Sequence, residues 1–296
     1  MTRFWKLTKR NVKMFFKDKG LFFTSLITPL ILLVLYTTFL GKVYRDSFAM
    51  AFPEGMKVPG ELLDGAVGGQ LISSLLAVCC VTVAFCSNML MVQDKSTGAR
   101  KDLMMTPVKG TTMAFSYYIT TLISTLFICL VATGAGFLYL GKIGWYLSGQ
   151  DIIFFLLDVF LLVMFGVSLS SVINFFLSTQ GQISAVGSMV SSMYGFVCGA
   201  YMPISQFSPG LQKVLSFLPG TYATSLLRNH ALRGVFMEFE KEGYPAEVID
   251  ALRDTIDCNV YFFDNVVGVS TMYLILAGSV LFLIGVYVIL HAVRKR

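Results

Sequence analysis

Charge is scarce in this chain. Only 14% of its 296 residues are charged, 55% are hydrophobic and the mean hydropathy is +0.72. A soluble globule carries about 25% charged residues, so that class is excluded. Histidine is almost missing: His230 and His291 are the two, and both read as lying at or beyond the ends of apolar runs. The Gly166-Val167-Ser168 stretch therefore has no imidazole within its span to activate the serine. Cysteine gives no disulfide framework, because Cys79, Cys80, Cys86, Cys129 and Cys198 lie in apolar segments and Cys258 stands alone in a polar one. A phosphate-binding loop is also missing. Gly55 and Gly60 have its glycine spacing but continue into Glu61-Leu62. Leu147-Ser148-Gly149-Gln150 looks like part of an ATPase signature, but lacks a glycine and has no such loop beside it. No catalytic, cofactor-binding or metal-binding set is read, and no cleavable signal pattern. The short alternating segments of a membrane barrel are not there either.

What is there is oil in long runs. Twenty-residue apolar stretches recur, and each is long enough to cross a hydrocarbon layer as a helix. The pattern predicts an all-α polytopic membrane protein with six spans, at about 21–40, 66–92, 111–140, 152–177, 183–201 and 266–292, in a single domain over 1–296. Pro29 falls mid-way along the first span. Residues 1–20 form an amphipathic helix. Phe4, Trp5, Leu7, Val12, Met14, Phe15 and Phe16 share a broad face opposite Lys6, Lys9, Arg10, Lys13 and Lys17, the pattern of a helix lying in a membrane interface. Residues 41–65 are expected to be loop.

The most distinctive stretch is 93–110, which gathers six charges between two apolar runs. Residues 94–105 can form a short helix, Thr106-Pro107 stops it and Gly110 releases the chain. Leu103, Met104 and Met105 offer a soft apolar tip suited to a partner's groove. Lysine and arginine assign the sides. The face holding both termini and 93–110 has 14 of them, including Arg294, Lys295 and Arg296, against 9 on the other face. The positive-inside rule makes the termini and 93–110 cytoplasmic.

These residues resemble the permease subunit of an ABC-2 type ABC transporter. The resemblance covers essentially the whole chain and rests on an ordered set. A basic amphipathic N-terminal helix is followed by a Pro-bearing first span. Then comes a loop with Asp94, Gly98, Leu103, Thr106 and Pro107 at the family's positions. Last is a segment of short helices after span five, carrying Pro203, Pro209 and Pro219, which in the family dips back toward the membrane. The loop is more basic than is usual in the family, and about 30 residues, 233–265, are additional.

The resemblance implies that 93–110 is the coupling helix on which a separate ABC ATPase docks, through Asp94, Gly98, Arg100, Leu103, Met104, Met105, Thr106 and Pro107. ATP and Mg would belong to that ATPase. It also implies that spans two and five face a central seam between two permeases, identical or related. Ser73, Ser74, Asn88, Ser191, Tyr194 and Phe196 are then the expected walls of the substrate path. The small-residue stripe Gly187, Ser191, Gly195 and Gly199 suits close helix packing, within the chain or between subunits. Asp158, the one ionisable residue well inside a span, bonds a neighbouring hydroxyl or relays a cation. The expected function is ATP-driven export of an amphipathic drug, antimicrobial peptide or lipid-like compound across a bacterial plasma membrane. A polysaccharide or glycolipid exporter of the same family and a cation exchanger using Asp158 are the alternatives. No nucleic-acid partner is expected.

Overall fold

The computed structural model describes residues 2–50, 52, 58–263 and 265–293. The chain opens with helix α1 (Thr2–Lys17) and turns at Asp18, whose carboxylate accepts from the Leu21 N–H at 3.1 Å and caps α2 (Lys19–Leu35). Pro29 lies inside α2 without ending it. A π-helical turn, Tyr36–Leu40, leads straight into α3 (Gly41–Met50). Residues 41–50 are therefore helix and not the expected loop. The reason is burial: Tyr44 and Phe48 enter the core, and Arg45 pairs with Asp64 at 2.9 Å.

Helix α4 (Gly60–Ser96) has 37 residues. At 1.5 Å per residue it runs about 55 Å, well past a hydrocarbon layer of about 30 Å at its ends. It starts earlier and ends later than its apolar run. Nearly every side chain from Leu62 to Val92 is buried, so α4 is the axis on which the rest packs. Small residues permit that: Gly68, Gly69, Ser73, Ser74, Ala77, Cys79, Cys80 and Ala84 let neighbouring backbones close in.

Around α4 the chain lays down α5 (Ala99–Met105), α6 (Gly110–Ile143) and α7 (Gly149–Phe176). Then come α8 (Gln180–Val197), α9 (Pro209–Leu215), α10 (Pro219–Lys241) and α11 (Ala246–Thr255). A two-stranded hairpin, β1 (Tyr261–Phe262) with β2 (Asn265–Val266), leads into α12 (Val269–Val293). Helices α7 and α8 both begin with capping boxes, Ser148 with Asp151 and Thr179 with Gln182. All six cysteines are free and buried.

Among the described residues, five helices are long and apolar enough to cross a membrane: Lys19–Asp46, Gly60–Ser96, Gly110–Ile143, Gly149–Phe176 and Val269–Val293. Helix α8 is not among them. It has 18 residues, and Gln180, Gln182, Ser184, Ser188, Ser191 and Ser192 dilute its apolar content. The boundary expected near 233 also dissolves, because α10 is one 23-residue helix crossing it, flanked by α4, α7 and α12. Arg294, Lys295 and Arg296 lie outside the described residues.

Candidate functional site

The turn after α4 is set by Gly98. Its φ of 85° is left-handed, which glycine adopts without strain, and it breaks the expected 94–105 helix in two. Ala99–Met105 then forms α5, and Thr106 closes it by donating to the Leu103 carbonyl at 2.6 Å. Helix α1 grips this turn at both ends. Arg3 donates to the Pro107 carbonyl at 2.7 Å, and Arg10 pairs with Asp94 at 2.6 Å. Burial opposes charge on Arg10, but the adjacent Asp94 carboxylate more than compensates and holds the guanidinium above its ordinary pKa. Tyr117 of α6 donates to the same carboxylate at 2.5 Å. The inner stripe of α1, Thr8, Asn11 and Phe15, packs on α6, while Trp5 is left exposed.

This geometry sorts the residues expected to dock a partner. Asp94 is 3% exposed and spent on Arg10 and Tyr117, so it braces the turn from within. Leu103 turns inward onto Leu90, Met91, Met113 and Tyr117. Arg100 is half-buried. Met104 and Met105 project, at 60% and 87% exposure, with Thr106 and Pro107 exposed beside them. Lys95, read from the sequence only as one of the residues that make the loop more basic, donates to the carbonyls of Asn174, Phe175 and Leu177 at 2.9–3.0 Å and so caps the end of α7.

The expected path residues also separate. Ser73, Ser74 and Asn88, expected as walls of the path, are enclosed by this chain. Ser73 donates to the Gln70 carbonyl, Ser74 accepts from Arg228, and Asn88 donates to Ser170 and Ser171 at 3.1 Å. Ser191 and Tyr194 are half-buried, and Phe196 is exposed. The small stripe of α8 is used within the chain, since Gly187 faces Met89 and Gly195 faces the Tyr201 ring. The outward face of α8 is a different set: Ser184, Ser188 and Ser192 in one column, with Met189, Met193 and Phe196 beside it.

Two buried polar groups join the far halves of the helices. Asp158 on α7 meets His230 Nδ1 of α10 at 2.6 Å and accepts from the Tyr273 hydroxyl of α12 at 2.5 Å, with Phe154 stacked on the imidazole. Arg228, 0% exposed, pairs with Asp257 at 3.2 Å and also donates to Ser74 and to the Gly199 carbonyl. Sequence reasoning placed His230 outside the spans and gave Arg228 no role.

The family model described as ABC-2 type transporter matches residues 2–231. That is more than three quarters of the chain. The chain belongs to the ABC-2 type transporter family. It is accordingly a transmembrane permease of an ABC transporter, a multi-pass membrane protein whose family implies association with an ABC ATPase. No curated protein matches the chain by sequence. The ABC-2 match takes in the α1 grip, α5, α8 and Arg228, and it stops before α11, the hairpin and α12.

Proposed function

We propose that this chain is the permease half of an ATP-driven exporter. Separate ATPase subunits dock on α5 and move an amphipathic molecule, such as a drug, antimicrobial peptide or lipid-like compound, out through a seam between two permeases. Export of a polysaccharide or glycolipid is the alternative within the family. The carrying observation is the Met104–Met105 tip. It is a pair of flexible apolar side chains held out on a short helix whose base is tied to α1 through Pro107 and Asp94. A lever needs that combination of a soft tip and a stiff root. Helix α5 acts as the coupling helix and α1 lies in the inner interface, so a push on the tip reaches α4 and α6 directly.

Membership and the cation count support the rest of the reading. The richer cationic face favours a cytoplasmic side for both termini and α5. Helix α8 is then the sixth, short span, and the segment through α9 and the start of α10 re-enters from outside. The start of α10 lies beside α8, where Gly220 faces the Tyr194 hydroxyl. The serine and methionine face of α8 is too polar for lipid and fits a seam with a second, like or related, permease. ATP and Mg are held by the ATPase. Asp158 is committed to His230 and Tyr273, which argues for a structural role over cation exchange.

The test is co-purification of the full chain with its ATPase. Met104→Asp with Met105→Asp should abolish the complex and transport while leaving the permease folded in the membrane. A complex surviving that double change would refute docking at α5.

A further inference from the structure

Arg228 is unusual in having no exposure at all in the middle of a helix that packs on three others. Its guanidinium reaches three parts of the chain. It donates to Asp257 beyond α11, to Ser74 on α4 and to the Gly199 carbonyl just past α8. Asp257 in turn accepts from the backbone N–H groups of Ile204 and Ser205. The pair therefore fastens the crossing 199–205, which leads from α8 to α9, against α4 and α10.

The fastening is polar and strained, unlike ordinary core. Asp257 holds a left-handed φ of 54° and Gly199 one of 74°. That conformation costs Asp257 free energy, whereas Gly199 adopts it without strain. The Arg228 Nε has no hydrogen-bond partner among the described residues, nor does the amide of Gln70, one turn from Ser74 on α4. A cleft of about 250 Å³, lined by Ser205, Gln212, Asp254, Asp257 and Asn259, reaches the carboxylate from the surface. Directional bonds to a few atoms, next to unmet donors and a polar cleft, make a joint that can part, where interlocked apolar side chains would not.

We propose that the Arg228–Asp257 pair is the clasp of the outer gate: made, it seals the crossing 199–205 over the end of the substrate path, and it parts during each transport cycle. Arg228 is a positioning residue in this scheme and touches no substrate. The proposal rests on the permease reading for its orientation and its link to turnover, and on geometry alone for the joint.

The protein carries its own reporters. Cys198 precedes Gly199 and Cys258 follows Asp257, and both thiols are buried. Burial pushes the Cys258 thiol up to about 12, so it stays protonated and unreactive while enclosed. Cys79, Cys80 and Cys129, inside the helical core, serve as controls. The full chain in sealed vesicles of both orientations is treated with a membrane-impermeant maleimide, and each cysteine is quantified by mass spectrometry. Asp257→Asn should raise labelling of Cys198 and Cys258 by about tenfold or more, the scale on which losing one partner of a buried pair shifts a two-state equilibrium. The three controls should not change. Unchanged labelling, or a rise at all the cysteines together, overturns the clasp, the latter by showing that the pair only holds the fold. In the parent complex, ATP turnover should raise Cys198 and Cys258 labelling over the nucleotide-free state, and no rise overturns the cycle-linked opening whether or not the variant folds. The Asp257→Asn comparison needs no ATPase, and the labelled face reads orientation separately. A failure of the permease reading is thus distinguishable from a failure of the clasp.

Discussion

A methyl group added at Gly166 would lie 2.8 Å from the Cys80 carbonyl oxygen and 3.0 Å from the Val81 Cα. These are backbone atoms and cannot swing aside. Gly166→Ala must therefore part α7 from the central helix, at a cost of about 1–3 kcal/mol. Gly285 in α12 faces open space, so Gly285→Ala there should be neutral or gain up to about 1 kcal/mol from helix propensity. Thermal unfolding of the two purified variants in detergent separates these outcomes, and equal melting temperatures would show that α4 and α7 are not in backbone contact. The same reasoning explains a limit of sequence reading at this scale. Gly166-Val167-Ser168 read as a possible serine setting, whereas Ser168 donates to the Met164 carbonyl and shares a bond with Tyr118. A small residue in a span looks alike whether it serves chemistry or close approach, and only the neighbour decides.

Elements were legible where the signal is local. The runs behind α2, α4, α6, α7 and α12 announce themselves by length and apolar content, and Thr106-Pro107 marks the end of α5 correctly. Helix α10 was not legible, because its Arg228, His230 and Arg233 look like a solvated stretch. Each meets a carboxylate brought in from far along the chain, Asp257, Asp158 and Asp151, and such pairings leave no local trace. Lys95 was read as one charge of a loop for the same reason. Its ammonium closes the last turn of α7 on the carbonyls of Asn174, Phe175 and Leu177, of which that of Asn174 also accepts a backbone N–H, from Leu177. Lys95→Met keeps the stem and removes the donor. Hydrogen exchange across residues 172–178 should then quicken by about tenfold, from loss of about 1–2 kcal/mol of capping, while exchange in the middle of α7 stays as it was. Unaltered exchange at that end would show that the cap carries no weight.

At the scale of the whole molecule the unresolved question is what covers α8. Its inner side is fully used, with Gly187 against Met89 and Gly195 against the Tyr201 ring. Its outer side leaves Met189, Met193 and Phe196 at 50–60% exposure along a serine column. Lipid would accept the methionines and the phenylalanine. It gives no hydrogen-bonding return for the hydroxyls, of which Ser192 already bonds back to the Ser188 carbonyl at 2.8 Å. A second permease across a narrow, partly wet seam accepts both. With the native cysteines buried, single replacements on α8 can report on that seam. Ser188→Cys and Ser192→Cys should cross-link two permeases under mild oxidation, and Leu274→Cys, 74% exposed on α12, should not. If the partner permease is a related chain and not a second copy, the bridge forms only when both are co-expressed and the partner carries a cysteine at the facing position as well. Cross-linking through α12 with none through α8 would move the seam to the other side of the molecule and remove the serine and methionine face from the path.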